Sequence, residues 1–358
     1  MHSTMNIQTL IDGLTLEDEA DRIYAAEDLG YTGAAEAVAP LVERLATEPS
    51  RKVRETIFAA LERMNRPEVR VHMAMLLDSD DAFLRNQAVA LLQRSGAAAA
   101  PVLLARMSDA DPDVRKFVLD TAAGIASPEV EPIYDAAMRD PDVNVLIAVL
   151  EYLSEQRKTR FKPAVEEVFL HAKEPMLMCA AFAALLQIGD TTSWQIIRQR
   201  YPTVANVPGW ELGWWIRALG EFGGPGELEV FHEVLQNHDG KVIHETIDAL
   251  ERFQGRHGRV GITAGFWKLL QDRLEDDLPS EDKLQLLRVI GGFSATTAIG
   301  DYLVGLLEHH DRQIKLGAIE GIGRLGRPDL LALLQKRRTL ETDAEIIEAI
   351  GDCERASR

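Results

Sequence analysis

VRKFVLDTAAGIA, Val114–Ala126, returns three times in altered form: VRETIFAALERM at Val53–Met64, LRNQAVALLQRSG at Leu84–Gly96 and IKLGAIEGIGRLG at Ile314–Gly326. Each copy opens with an aliphatic residue and a base, then runs as an apolar helix towards a small residue or glycine. Weaker copies begin near Asp21, Asp142, Leu177, Glu211, Val242, Asp282 and Thr342. The second position of each unit falls at Arg22, Arg54, Arg85, Arg115, Asn144, Met178, Leu212, Ile243, Lys283, Lys315 and Asp343, in steps of 28 to 40 residues. Eleven units of about thirty residues therefore cover nearly the whole chain. Self-similarity at such a period is the mark of a stacked repeat array.

A second marker runs in phase with the first. Pro40, Pro101, Pro132 and Pro163 precede the repeated helix by 12 to 15 residues, and the last three are 31 apart. Proline is tolerated in a first helical turn, where its missing N–H would lack a partner anyway. Each unit thus reads as a first helix, a polar turn and a second helix. In the second helix Ile57, Ala60, Leu61 and Met64 recur at i, i+3, i+4 and i+7, one buried stripe. Ala88, Leu91 and Leu92 repeat it, as do Ala318 and Leu325 around Ile322. No segment alternates with period two, which argues against sheet.

The turns carry their own chemistry. Asp81, Asp111, Asp140, Asp239 and Asp311 each stand four residues before the second position of the following helix, where an aspartate can cap free N–H groups. The later base (Arg85, Arg115 or Lys315) is placed to reach the aspartate of the next unit and tie neighbours into a ladder. These ion pairs are expected to hold the stack together and to have no catalytic part.

The run D-x-D-P-D-V-R at Asp109–Arg115, its partial copy D-P-D-V at Asp140–Val143 and the opening V-A-P-L at Val38–Leu41 resemble the HEAT family of α-solenoids, including the HEAT-like repeats named after phycobilisome lyases. The resemblance implies an all-α fold, a right-handed α-solenoid of about eleven stacked helix pairs. The middle units depart from the pattern, lacking the base at Met178, Leu212 and Ile243. Solenoids present a long surface that usually binds other macromolecules, so the fold alone leaves the function open.

Composition narrows the partners. Of 358 residues, 57 are acidic and 39 basic, a formal charge of -18. A chain so acidic repels nucleic-acid phosphates and anionic membrane surfaces. Aromatics are only 6%, so the core is aliphatic. Cys179 and Cys353 lie far apart with no metal-ligand spacing, which excludes a disulfide framework. The first fifty residues hold ten acids and two bases, Arg22 and Arg44, the reverse of a secretory or mitochondrial leader. No apolar run approaches a spanning helix, and a cytoplasmic location is expected.

Function is sought where the repeats break. The first break is PGWELGWWIRALG, Pro208–Gly220, after the insert TTSWQIIRQRYPTV, and all five tryptophans fall between 194 and 267. Trp215 occupies the core stripe. Trp210, Trp214 and Arg217 fall at i, i+4 and i+7 on a different face, and exposed Trp with Arg is the composition of a binding hot spot. The second break is QGRHGRVGITAGFW, Gln254–Trp267. Its glycines alternate with Arg256, His257 and Arg259, candidates for an anion or partner contact in a loop that reads as a hinge. The domain reading is therefore repeats over 1–254, a glycine-rich loop over 255–266 and further repeats over 267–358.

Two His-Glu dyads, His232-Glu233 and His244-Glu245, invite comparison with HEAT-repeat deoxyhypusine hydroxylases, which V-I-H-E at Val242–Glu245 resembles. Members of that family hold two irons with four dyads at equivalent places. Here the equivalent pairs are Glu55-Thr56, Asn86-Gln87, Lys116-Phe117, Leu284-Gln285 and Leu316-Gly317, so no metal or other cofactor is expected. No nucleophile–base motif is present. The expectation is a non-enzymatic scaffold or adaptor for partner proteins. The competing reading, suggested by the name-giving family, is an enzyme subunit or chromophore-lyase-like protein with a ligand pocket near Trp210 and Trp214.

Overall fold

The computed structural model describes residues 6–237, 242–276, 278–294 and 297–356. Among these residues there are 22 α-helices and no strand, and the helices fall into pairs. The first five pairs are α1 (Ile7–Gly13) and α2 (Glu19–Thr32), α3 (Val38–Thr47) and α4 (Arg51–Met64), α5 (Pro67–Met75) and α6 (Ala82–Arg94), α7 (Ala100–Arg106) and α8 (Pro112–Ala123), and α9 (Glu131–Ala137) and α10 (Val143–Glu155). Next come α11 (Lys162–His171) and α12 (Pro175–Ile188), α13 (Ser193–Arg200) and α14 (Leu212–Phe222), and α15 (Leu228–Asn237) and α16 (Ile243–His257). The last are α17 (Ala264–Glu275) and α18 (Ser280–Gly291), α19 (Thr297–Leu306) and α20 (Arg312–Leu325), and α21 (Pro328–Arg338) and α22 (Ala344–Ala356). Every even-numbered helix is a copy of the repeated stretch, as the period predicts.

The chain divides into two compact units, residues 1–157 with 174–180 and residues 158–173 with 181–358. In the first, α2, α4, α6, α8 and α10 pack in succession, and α3, α5, α7 and α9 form a second row. In the second, α14, α16, α18, α20 and α22 repeat the arrangement. The buried stripe lies between the rows: Ile57, Leu61, Ala88, Leu92, Ala318 and Ile322 are inaccessible to water. Pro101, Pro132 and Pro163 stand in the first turn of their helices.

The caps follow the sequence reading in part. Asp81 accepts from the N–H of Phe83 at 2.8 Å, Asp111 from that of Asp113 at 2.9 Å and Asp311 from that of Gln313 at 2.8 Å. Asp140 does not cap α10; Asp142 does, accepting from Asn144 at 2.8 Å. Asp140 instead takes both Nε and Nη2 of Arg115, at 2.7 Å each, in a buried bidentate pair. Asp142 adjoins the helix and has the extended backbone a cap needs, which leaves Asp140 to the ladder. Asp239 lies outside the described residues.

The ladder is real but irregular. Arg22 pairs with Glu48, Arg54 with Asp81 at 2.8 Å and Arg115 with Asp140. Arg85 breaks it: its guanidinium donates to Ser79 O and lies 4.8 Å from the Phe117 ring centroid. In the last rung Arg312, not Lys315, reaches Asp343.

The predicted 255–266 loop is shorter than expected. α16 continues through Gly255, Arg256 and His257, and Gly258 ends it at φ 70°, a conformation that costs glycine no strain.

Candidate functional site

The insertion in the seventh pair is built around a buried aromatic cluster. Much of the stretch that reads as an insert is α13 itself; the extra chain is the connection 201–211. Trp194 of α13 and Trp215 of α14 are both buried, their rings 5.2 Å apart and tilted by 56°. Trp215 thus packs in the core as its register predicts. Tyr201 and Glu211 bracket the connection. Arg200 Nε donates to the Tyr201 hydroxyl at 2.8 Å, and that hydroxyl donates to buried Glu211. Burial, with Glu211 beside it, pushes the Tyr201 phenol up to about 12.

Trp210 is not on the helix. It sits in the turn ahead of α14, which begins at Leu212, so the spacing i, i+4, i+7 does not align it with the other two residues. The physical reason is Glu211, whose buried carboxylate is held by Tyr201 at the residue before the first turn. Trp210 is nonetheless 52% exposed, far more than the other tryptophans of the insertion. Trp214 is half-buried, and the exposed Arg217 guanidinium lies 5.7 Å from its ring centroid. Cation and ring face attract at this range. A cavity of about 410 Å³ nearby is lined by Trp194, Gln195, Arg198, Gln199, Pro202 and Glu227, and by neither Trp210 nor Trp214.

Arg256, His257 and Arg259 are each hydrogen-bonded to backbone carbonyls at helix ends, with both arginines still exposed to solvent. Arg256 donates to Gly220 O at 3.1 Å and Gly223 O at 3.2 Å, and His257 Nε2 donates to Gly223 O at 2.8 Å. These carbonyls close the C-terminal end of α14, where cations offset unpaired oxygens. Arg259 does the same for α20, donating to Arg324 O at 2.8 Å. Four arginines of the first unit are also engaged within it: Arg54 on Asp81, Arg63 over the Tyr31 ring at 4.1 Å, Arg66 on Gly33 O and Arg70 on Asn65.

The His-Glu dyads do not converge. The His232 ring stacks on Phe266, and His244 Nδ1 is 2.7 Å from Asp282 Oδ1 on α18. Among the described residues no three His, Cys, Asp or Glu side chains are grouped to hold a metal ion. The hydrogen bond to Asp282, aided by Asp248 and Glu245, raises the His244 pKa above its ordinary 6.5. A raised value means stabilisation that is complete below about 6.5 and lost as pH rises through the folded-state value. In a proton NMR titration His244 is expected to titrate above 6.5, and Asp282→Asn to return it towards that value.

A feature that the repeat reading passed over lies in the second unit. A groove of about 1160 Å³ runs beside α20, α21 and α22. Leu284, Leu316, Leu331, Ala332 and Ala349 contribute its apolar surface. Glu345, Glu348 and Asp352 line it from α22 at i, i+3 and i+7, a spacing visible in the sequence once α22 is known to be a helix. Arg259, Arg288 and Arg324 also line it, with both Arg288 and Arg324 at 3.1 Å from Glu251 Oε1. Burial lowers the Arg324 pKa, against the pull of Glu251.

Paired helices stacked in two rows, with no strand among the described residues, define an α-solenoid. Residues 7–93 and 100–186 match the family of HEAT repeats, and this part of the chain is built of them. It is similar to a solved structure of Kap95p binding RanGDP, at 11% identity and TM-score 0.51, over 99% of this chain and 57% of that one. It is also similar to Kap121p bound to Ste12p, at 12% identity and TM-score 0.52, over 98% of this chain and 45% of that one. The chain therefore spans about half the length of either neighbour. The CpcE–CpcF complex of phycocyanin lyase from Nostoc sp. PCC7120 matches at 19% identity over 75% of this chain and 94% of that one, with a TM-score of 0.24, too low to argue from. A comparison with curated proteins finds no match. At such identities the likeness is one of fold alone. Among the described residues no helix is long and apolar enough to cross a membrane.

Proposed function

We propose that this chain is a non-enzymatic scaffold that binds partner proteins through the exposed faces of its stacked helices, with Trp210, Trp214 and Arg217 as one contact. The observation that carries the reading is the exposure of Trp210, four residues before a cation–ring pair of Trp214 and Arg217, in the insertion of the seventh repeat. Trp and Arg dominate binding energy at interfaces because each buries a large surface with a specific polar geometry. Kap95p and Kap121p, which share the fold, are described in complexes with protein partners, and this supports the coarse reading only. The charge of -18 opposes nucleic acid and anionic membranes as partners.

The test is capture from a native extract by the parent and by a Trp210→Ala/Trp214→Ala/Arg217→Ala variant, with circular dichroism to confirm that both are folded. A stoichiometric protein held by the parent and lost by at least tenfold from the variant is the expected result. Truncating a hot-spot residue costs about 2 kcal/mol or more, which is over an order of magnitude in affinity. Equal capture by both would remove these three residues from the interface. A turnover assay that converts a substrate would sink the non-enzymatic reading.

A further inference from the structure

We propose that the groove along α20–α22 docks an amphipathic helix bearing basic side chains. The site is separate from Trp210, and the inference extends the scaffold reading by giving one docking surface a partner chemistry.

Size, floor and charge each contribute to the argument. A helix about 10 Å across and two turns long encloses on the order of 850 Å³, which the groove of about 1160 Å³ accommodates. Its floor is made of apolar and small side chains: Leu316 and Leu331, with Ala332, Ala349 and Gly323 between the walls. Small residues there let a helix approach closely, and the leucines receive its apolar stripe.

The α22 wall supplies the charge. Glu345, Glu348 and Asp352 span seven residues, about 10.5 Å or two helical turns at 1.5 Å per residue, so bases at the same spacing on a docked helix would face all three. Glu348 has no ion-pair partner among the described residues. Glu345 is held at 2.6 Å by Arg312, and Asp352 by Arg355; these arginine side chains are 49% and 68% exposed. Exposed pairs of that kind are worth little, so a partner's bases displace them cheaply. On the other side of the groove the cations are already committed, Arg288 and Arg324 to Glu251, and Arg259 to Arg324 O. Of the charged side chains that line the groove five are acidic (Glu251, Glu320, Glu345, Glu348 and Asp352) and three basic, and three of the five acids lie along α22, with Glu348 unpaired among the described residues.

The test uses two fluorescein-labelled 14-residue peptides of amphipathic pattern, one of leucine and lysine and one of leucine and glutamate, titrated with the full chain and followed by anisotropy. The lysine peptide is expected to bind and the glutamate peptide not to. Glu345→Lys/Glu348→Lys/Asp352→Lys is expected to weaken binding at least tenfold, and Glu345→Gln/Glu348→Gln/Asp352→Asn to do so if the lysine variant misfolds. Two controls separate the groove from the chain's overall charge. Glu27→Lys/Glu36→Lys/Glu43→Lys makes the same change in net charge on exposed positions elsewhere and is expected to alter binding less than threefold. Ala332→Trp fills the floor without changing charge and is expected to abolish binding. Equal losses from both lysine triples, or full binding by Ala332→Trp, would overturn the proposal, as would binding of neither peptide. Loss of the Trp210 contact leaves these readouts untouched, so the two readings fail separately.

Discussion

Gly291→Ala is expected to destabilise the second unit by about 2 kcal/mol, although alanine is the better helix former. Helix propensity alone predicts the opposite sign, a gain of at most about 1 kcal/mol for glycine to alanine, and less at Gly291, which is the last residue of α18. Packing decides the matter. A Cβ at Gly291 would stand 2.0 Å from Gly321 O, 2.5 Å from Gly321 Cα and 2.6 Å from Gly321 C, all backbone atoms. No rotamer change relieves a clash with backbone, so α18 and α20 must separate, and overpacking costs about 1–3 kcal/mol even where side chains are free to yield. Gly321→Ala meets Leu287 O at 2.7 Å and is expected to behave alike. Gly255→Ala in α16 has nothing within 4 Å of its Cβ and is the control, expected to be neutral or stabilising. All five tryptophans lie within residues 181–358, so fluorescence during urea unfolding follows this unit. A midpoint for Gly291→Ala at or above the parent's would mean that the helices are not held this close in solution.

Those glycines also show what the sequence withholds. The period of about thirty residues locates all eleven helix pairs, because an apolar stripe with a base at its head repeats whatever the details of packing. Gly291 and Gly321 sit inside that pattern as two small residues among many; their importance arises only when two helices thirty residues apart are laid side by side. Asp140 illustrates the same limit. Its spacing fits a cap as well as the spacing of Asp81 or Asp111 does, yet one register shift within D-P-D-V hands the cap to Asp142 and leaves Asp140 to Arg115. Arg256, His257 and Arg259 read as a free basic loop because the carbonyls they cap are 33 to 65 residues away. The α22 acids are legible as a stripe, but a stripe becomes a groove wall only through α20 and α21. In each case local chemistry is written in the sequence, while the identity of the facing group depends on how the repeats stack.

Glu48→Ala is expected to be the most damaging single change in the first unit, at about 3–5 kcal/mol, the cost of breaking a buried charge pair from one side. Glu48 is fully inaccessible to water, and Arg22 beside it is only 7% exposed. Its two oxygens accept from Arg22 Nε at 3.0 Å, Arg22 Nη2 at 3.1 Å, Arg44 Nε at 2.8 Å and the Ser50 N–H at 2.8 Å. Removing the carboxylate strands the Arg22 guanidinium with only the backbone oxygens of Leu16 and Glu17. Removing both charges is a different matter: Arg22→Met/Glu48→Leu is expected to recover most of the loss, because apolar replacement of a buried pair is often neutral or better. The same group sets an acid limb. Burial pushes the Glu48 carboxyl up, but the hydrogen bonds from Arg22, Ser50 and Arg44 outweigh it and hold the pKa below the ordinary 4.5. A depressed carboxylate contributes stability that is fully present above that ordinary value and is lost as pH falls through the folded-state value. Thermal melts by circular dichroism should therefore show the parent's advantage over Glu48→Gln largest near neutrality and shrinking below pH 4.5. An advantage that stayed constant down to pH 2.5 would mean that the buried carboxylate is not charged when the protein folds, and that hydrogen bonding alone secures the first two helix pairs.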